Sequence, residues 1–151
     1  MKKEQQYQIA LKQIISVLDK SNDEISKMAT ISCLLSKNIP YFFWSGFYRV
    51  TRANYLSIGP YQGTLACIDI PFNKGVCGES ATLEQTIIVP NTHEFPNHIA
   101  CDSRSNSEIV VPVFNAKQNL IAVFDADSIE FNSFCEIDKL FLEKIMEVFQ
   151  N

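Results

Sequence analysis

The chain carries five cysteines, Cys33, Cys67, Cys77, Cys101 and Cys135. An odd number of thiols, in a chain opening Met1-Lys2-Lys3-Glu4-Gln5-Gln6 without an apolar export core, argues for free, catalytic or metal-bound sulfur over a structural disulfide framework. Cys67, Cys77 and Cys101 fall in the glycine- and proline-broken middle, as Ala66-Cys67, Gly75-Val76-Cys77-Gly78 and Ile99-Ala100-Cys101-Asp102. Cys33 and Cys135 fall in or beside helices, where a cysteine is usually a small buried hydrophobe, so both are expected to pack. Cys101 differs, because a loop with a nearby histidine and free backbone amides can lower a thiol pKa and expose the sulfur. His93, His98 and Cys101 in one loop, with Cys67 and Cys77 upstream, also offer zinc donors. Their spacing gives no tight CxxC pair, histidine-helix signature or H-x-E with P-C-x-x-C, so no metal is expected. The absence of a G-x-S-x-G elbow disfavours a Ser-His-Asp hydrolase.

Alternation along one strand sets Ile121, Val123, Asp125 and Asp127 on a single face, so two carboxyls continue an apolar row. Buried acids raise one another's pKa by desolvation and repulsion, and one can then stay protonated near neutral pH as a proton donor. The alternative use of Asp127-Ser128 is an Asx turn beyond the strand. Glu108 opens the neighbouring strand, where it either converges on the same end of the sheet or sits on the surface. Trp44, Gly46 and Tyr48 also share a face, and the glycine leaves a slot between the rings for a small apolar group unless the rings are ordinary core.

The elements needed to position these groups are legible in outline. Tyr7, Leu11, Ile14, Ile15 and Leu18 mark an amphipathic helix over residues 4 to 19. Ser21 and Glu24 form a capping-box pair for a second helix over residues 22 to 38, with Ile25, Met28, Ala29, Ser32 and Leu35 on its apolar side and Pro40 ending it. Phe42 to Val50 and Tyr55 to Ile58 read as a hairpin around Thr51-Arg52-Ala53-Asn54. Gly59-Pro60, Gly63, Pro71 and Gly75 allow only short strands between them, such as Ala66 to Ile70. Gly75 to Gly78 is a turn feeding a short helix from Glu79 to Leu83, followed by a strand from Thr86 to Val89. Residues 90 to 106 form a long loop of the kind that carries function. Ser107 to Phe114 and Leu120 to Asp127 make a second hairpin, and Ser133 with Glu136 caps a last helix bearing Ile137, Leu140, Phe141, Ile145 and Val148. The outcome is an α+β domain, a mostly antiparallel sheet with two N-terminal helices and a C-terminal helix packed on one face.

The 151 residues suit one domain, 1–151, and 46% hydrophobic with 20% charged side chains suits a packed core, disfavouring disorder. A net charge of −4 without a basic block excludes nucleic acid as an expected partner. No apolar run reaches the roughly 18 residues that span a bilayer, so a cytoplasmic protein is expected.

The stretch from Trp44 to Ser128 resembles the free methionine-(R)-sulfoxide reductases, single GAF-domain enzymes that reduce the free amino acid sulfoxide. Six ordered motifs carry the resemblance: Trp44-Ser45-Gly46-Phe47-Tyr48; Gly59-Pro60-Tyr61-Gln62-Gly63 with Ala66-Cys67; Ile70-Pro71-Phe72 with Gly75-Val76-Cys77-Gly78; His98-Ile99-Ala100-Cys101-Asp102; Ser107 to Pro112; and Asp125-Ala126-Asp127-Ser128. The resemblance implies a GAF-like domain in which Cys101 attacks the sulfoxide, Cys67 is the principal resolving thiol and Cys77 an alternative or relay. It implies that Glu108 and Asp127 polarise the departing oxygen, that Asp125 helps to hold the substrate ammonium, and that Trp44 and Tyr48 receive the methyl-thioether end. It further implies no cofactor beyond an external dithiol reductant, thioredoxin, preference for the R epimer, and a homodimer. Ala126 and Ala122 depart from the family's larger aliphatic residue and glycine, but neither change removes a chemical group. A GAF module that binds a small ligand, or a thiol redox sensor on the same scaffold, is the competing reading; a sensor oxidises once where the enzyme cycles.

Overall fold

In the computed structural model, which describes residues 1–99 and 101–151, alternation along the strands sorts the chain onto two faces of a six-stranded antiparallel sheet. The strands are β1 (Trp44–Arg52), β2 (Tyr55–Gln62), β3 (Asp69–Pro71), β4 (Ile87–Val89), β5 (Ser107–Phe114) and β6 (Leu120–Ser128), in the order β3-β2-β1-β6-β5-β4. Helices α1 (Lys3–Leu18), α2 (Glu24–Asn38) and α4 (Glu136–Met146) cover one face. Their Tyr7, Ile14, Met28, Ile31, Leu35, Leu142 and Ile145 close over Phe47, Val111 and Phe124 in a core of fully buried side chains. The α+β arrangement is as expected.

The short helix α3 (Gly75–Leu83) lies on the opposite face, where Val76, Cys77 and Ala81 pack with Trp44, Tyr48, Val110 and Val123. Strands β3 and β4 are consecutive in sequence but occupy opposite edges, so α3 is the strap that crosses between them. Gly78 allows the strap to sit close, because a Cβ there would collide with the Pro71 carbonyl.

Several local expectations are corrected. The α2 cap is Asp23, which accepts from the Ile25 N–H at 3.1 Å, so Ser21 has no capping role. Ile15, Ile25, Ile137 and Leu140 are exposed, because the apolar stripe of each helix is centred elsewhere, on α4 at Leu142, Ile145 and Met146. The α4 cap is Cys135, whose N–H donates to Asp138 at 2.8 Å. Cys135 and Cys33 are both exposed, and neither packs as expected. Strand β2 runs through Gly59-Pro60, with a register shift opposite Gly46 and Tyr48 that accommodates the proline. The expected strand at Ala66 to Ile70 shrinks to Asp69–Pro71, leaving Cys67 in irregular chain, while Cys77 moves from an expected turn into the first turn of α3. Among the described residues, no helix is long and apolar enough to cross a membrane.

Candidate active site

Antiparallel pairing aligns Trp44, Asp127, Glu108 and Val89 across four strands, with Tyr61, Gly46, Asp125, Val110 and Ile87 in the next row. Cross-strand partners share a face, so three carboxyls from β5 and β6 meet beside Trp44 under α3. Glu108 and Asp125 are each 5% exposed and Cys77 is 4% exposed, while Asp127 is half-buried. Together with Trp44, Tyr48, His98 and Cys101 they line a cavity that opens at the 90–106 loop. The apolar row of β6 begins at Val123, because a register shift near Phe114 turns Ile121 toward the helix-covered core.

The slot expected at Gly46 is filled. A Cβ there would collide with Tyr61, whose ring stacks on Trp44 at 5.2 Å, while Trp44 stacks on Tyr48 at 5.9 Å. Trp44 and Tyr48 line the cavity together with the acids, and Tyr61 stacks on Trp44 without lining it.

Burial dominates the electrostatics of the floor. It raises Glu108 to about 8, with the nearby Asp127 charge adding to the rise. Burial, reinforced by Glu108, pushes Asp125 well above the usual carboxylate range, and burial with the Asp125 charge does the same for Asp127. The Cys77 thiol is also pushed up, first by burial and then by Asp125. One Asp125 oxygen, Oδ1, is buried without a hydrogen-bond partner. His98 Nε2 lies 3.2 Å from Glu108 Oε1, and burial lowers His98 while it raises Glu108. Ser105 Oγ donates to Asp127 at 2.8 Å.

Cys67 and Cys101 are joined by a disulfide, with Cα atoms 5.6 Å apart and a sequence separation of 34. Cys101 is exposed, Cys67 half-buried and Cys77 buried as a free thiol. All eight residues singled out from sequence therefore meet in one region, with Cys67 and Cys101 at the mouth and the acids and Cys77 inside. Ala100, within the His98 to Asp102 motif, lies outside the described residues. His98 and Ser105 were not assigned to the acid cluster from sequence; the position of His98 three residues before Cys101 was the available signal, and Ser105 had none. The zinc set at His93, His98 and Cys101 does not assemble, since His93 pairs with Asn106 and His98 with Glu108. Cys77, Glu108 and Asp125 instead bring three donor atoms within 4.8 Å of one another.

The GAF domain family model matches residues 14–149. The chain is 43% identical over 149 residues to GAF domain-containing protein A of Dictyostelium discoideum, covering 99% of this chain and 93% of that protein. It is 38% identical over 122 residues to the free methionine-R-sulfoxide reductase of Escherichia coli, covering 81% and 73% of the two chains. Among solved structures, the free methionine-R-sulfoxide reductase of Neisseria meningitidis in complex with its substrate superposes with a TM-score of 0.94 at 39% identity, covering 99% of this chain and 89% of that one.

Proposed function

Because this chain belongs to the GAF domain family, among its free methionine-R-sulfoxide reductases, we propose that it reduces free L-methionine (R)-S-oxide to L-methionine. The observation that carries this reading is the Cys67–Cys101 pair at the mouth of a cavity with buried acids on its floor and aromatic rings on its wall.

The Cys101 thiolate attacks the sulfoxide sulfur, the S–O bond breaks, the oxygen passes to Cys101 as a sulfenic acid, and methionine leaves as the thioether. The Cys67 thiol then attacks the sulfenic sulfur, forming the disulfide and releasing water. An external dithiol takes over the disulfide bond and returns both cysteines to thiols. Sulfoxide oxygen is a poor leaving group without a proton, and Glu108, with its pKa raised to about 8, holds one near neutral pH. Asp127 shares the polarising role, and the unpartnered Asp125 oxygen suits the substrate ammonium. Trp44 and Tyr48 offer an apolar wall to the S-methyl end, and Cys77, beside Glu108 and Asp125, is an alternative or relay thiol. The family resemblance adds thioredoxin as reductant, a homodimer as assembly and the cytoplasm as compartment.

The test is turnover of each sulfoxide epimer with a dithiol reductant, followed by mass mapping of the disulfide. Repeated turnover of the R epimer with a Cys67–Cys101 link supports the reading. One oxidation without turnover would make the protein a redox sensor.

A further inference from the structure

The two redox cysteines lie outside the paired strands: Cys67 is in irregular chain between β2 and β3, with backbone pairing to β2 beginning one residue on, where the Ile58 N–H donates to the Ile68 carbonyl at 2.9 Å, and Cys101 sits in the long loop. Something else must keep them within the roughly 4.4–6.8 Å Cα separation that a disulfide requires. Thr64, three residues before Cys67, donates its hydroxyl to Asp102 Oδ2 at 2.8 Å, and Asp102 follows Cys101 directly. Among the described residues, this is the hydrogen bond that joins the two segments. One end is tied to Trp44, the first residue of β1, and the other rests on Phe43 just before it. The Trp44 indole N–H donates to the Thr64 carbonyl at 2.9 Å, and the Arg104 guanidinium lies 4.8 Å from the centre of the Phe43 ring. Arg104 also grips Asp102, donating from its backbone N–H and Nε to Oδ1 at 3.0 and 3.1 Å and from a terminal nitrogen to Oδ2 at 2.8 Å. Among the described residues, the other side-chain ties of this part of the loop, from His98 to Glu108 and Ser105 to Asp127 on the cavity floor and from Thr92 to the Ser105 carbonyl within the loop, do not reach Cys67.

We propose that Thr64, Asp102 and Arg104 form a positioning clasp that holds the Cys101 loop against the Cys67 segment after Cys101 is oxidised, so that the intramolecular disulfide closes before an outside nucleophile or oxidant reaches the sulfenic acid. The proposal rests on the sulfoxide reductase reading for its first step, the formation of the sulfenic acid. In the step it governs, the Cys67 sulfur forms the S–S bond, the S–O bond of Cys101 breaks, and the oxygen leaves as water with the thiol proton. Thr64 serves only the second of these steps, so its loss separates two rates that a general structural defect would lower together.

The test uses protein with Cys33→Ser and Cys135→Ser, reduced and mixed with one equivalent of free methionine-(R)-sulfoxide in the presence of dimedone, which captures sulfenic acid as a thioether. In Thr64→Val, methionine release stays within about twofold of the parent while disulfide closure slows by about tenfold or more, the scale of one lost hydrogen bond to a charged group. The dimedone adduct on Cys101 rises to match, and Thr64→Ser, which keeps the hydroxyl, closes at the parent rate. Asp102→Ala gives the same split and serves if Thr64→Val does not fold. Closure at the parent rate in a folded Thr64→Val or Asp102→Ala, or a Thr64→Ser as slow as Thr64→Val, overturns the clasp. If the parent releases no methionine, the sulfoxide reductase reading fails on its own. Hydrogen peroxide then generates the Cys101 sulfenic acid, and equal closure in parent and Thr64→Val overturns the clasp, whereas slowed closure upholds it.

Discussion

The two faces of the sheet are made from alternate residues of the same strands, yet they treat a buried carboxyl in opposite ways. On β6, Ala122, Phe124 and Ala126 enter the helix-covered core, while Val123, Asp125 and Asp127 turn toward α3 and the loops. On the helix side Asp138 is fully buried and accepts from Tyr7 at 2.8 Å, Tyr41 at 2.5 Å, Lys3 at 2.7 Å and the Cys135 amide at 2.8 Å. Burial alone would push Asp138 up, but the hydrogen bonds from Lys3, Tyr41, the Cys135 amide and Tyr7 outweigh it and hold the group below the usual carboxylate range. Among the described residues, Glu108, Asp125 and Asp127 have no ammonium or guanidinium partner, so burial and mutual repulsion raise them. Burial pushes each of these four acids upward, and the donors gathered around Asp138 reverse the shift there. The helix side spends its donors on locking α1 to α4, while the cavity side gives its acids fewer, and their pKa values stay raised.

The sharpest way to break this division is at the mouth. Cys101→Ser should abolish reduction of free methionine-(R)-sulfoxide in a steady-state assay, and a retained rate would end the sulfur mechanism. Next, Glu108→Gln or Asp127→Asn should slow the single-turnover step by about 10²–10⁴, the usual contribution of a positioned acid. Conversely, Phe124→Ala, on the opposite side of the same strand, should cost about 3–5 kcal/mol in denaturant unfolding while leaving the single-turnover rate of the folded fraction intact. A chemical effect from Phe124 would dissolve the distinction between the faces.

Titration gives a finer test. Glu108 binds its proton more tightly folded than unfolded, so its contribution to stability is complete below an unfolded pKa of about 4.3 and is lost as pH rises toward about 8. Activity that needs this proton falls through the same upper limit. Unfolding free energies measured across that window should decline less steeply in Glu108→Gln, and the alkaline limb of the rate profile should vanish. The smallest effects belong to the exposed thiols. Cys33→Ser and Cys135→Ser should each change stability by no more than about 0.5 kcal/mol and leave turnover unaltered.

Period-two patterning made the site floor legible: the alternation of β6 places Asp125 and Asp127 on one face, and the β5–β6 pairing adds Glu108. The mouth was less so. The apolar residues around Cys67 read as a strand, but Leu65 and Ile68 point into solvent and no partner strand pairs with Cys67. The space at Gly46 could not be judged locally, since Tyr61 reaches it only through the register shift of β2 around Gly59-Pro60. Helix faces were misjudged where apolar residues surround the axis, as at Ile15 and Leu140. His98 and Ser105 lie in irregular chain, which has no period from which a direction can be inferred.

The row Trp44–Asp127–Glu108–Val89 also bears on how the chain finds its native pairing. A slip of one residue in β6 would drive Asp125 and Asp127 among Phe42, Phe47 and Val111 and turn Phe124 outward. The same carboxyls that serve the cavity thus act during folding as a proofreading signal, making misaligned hairpins too costly to persist.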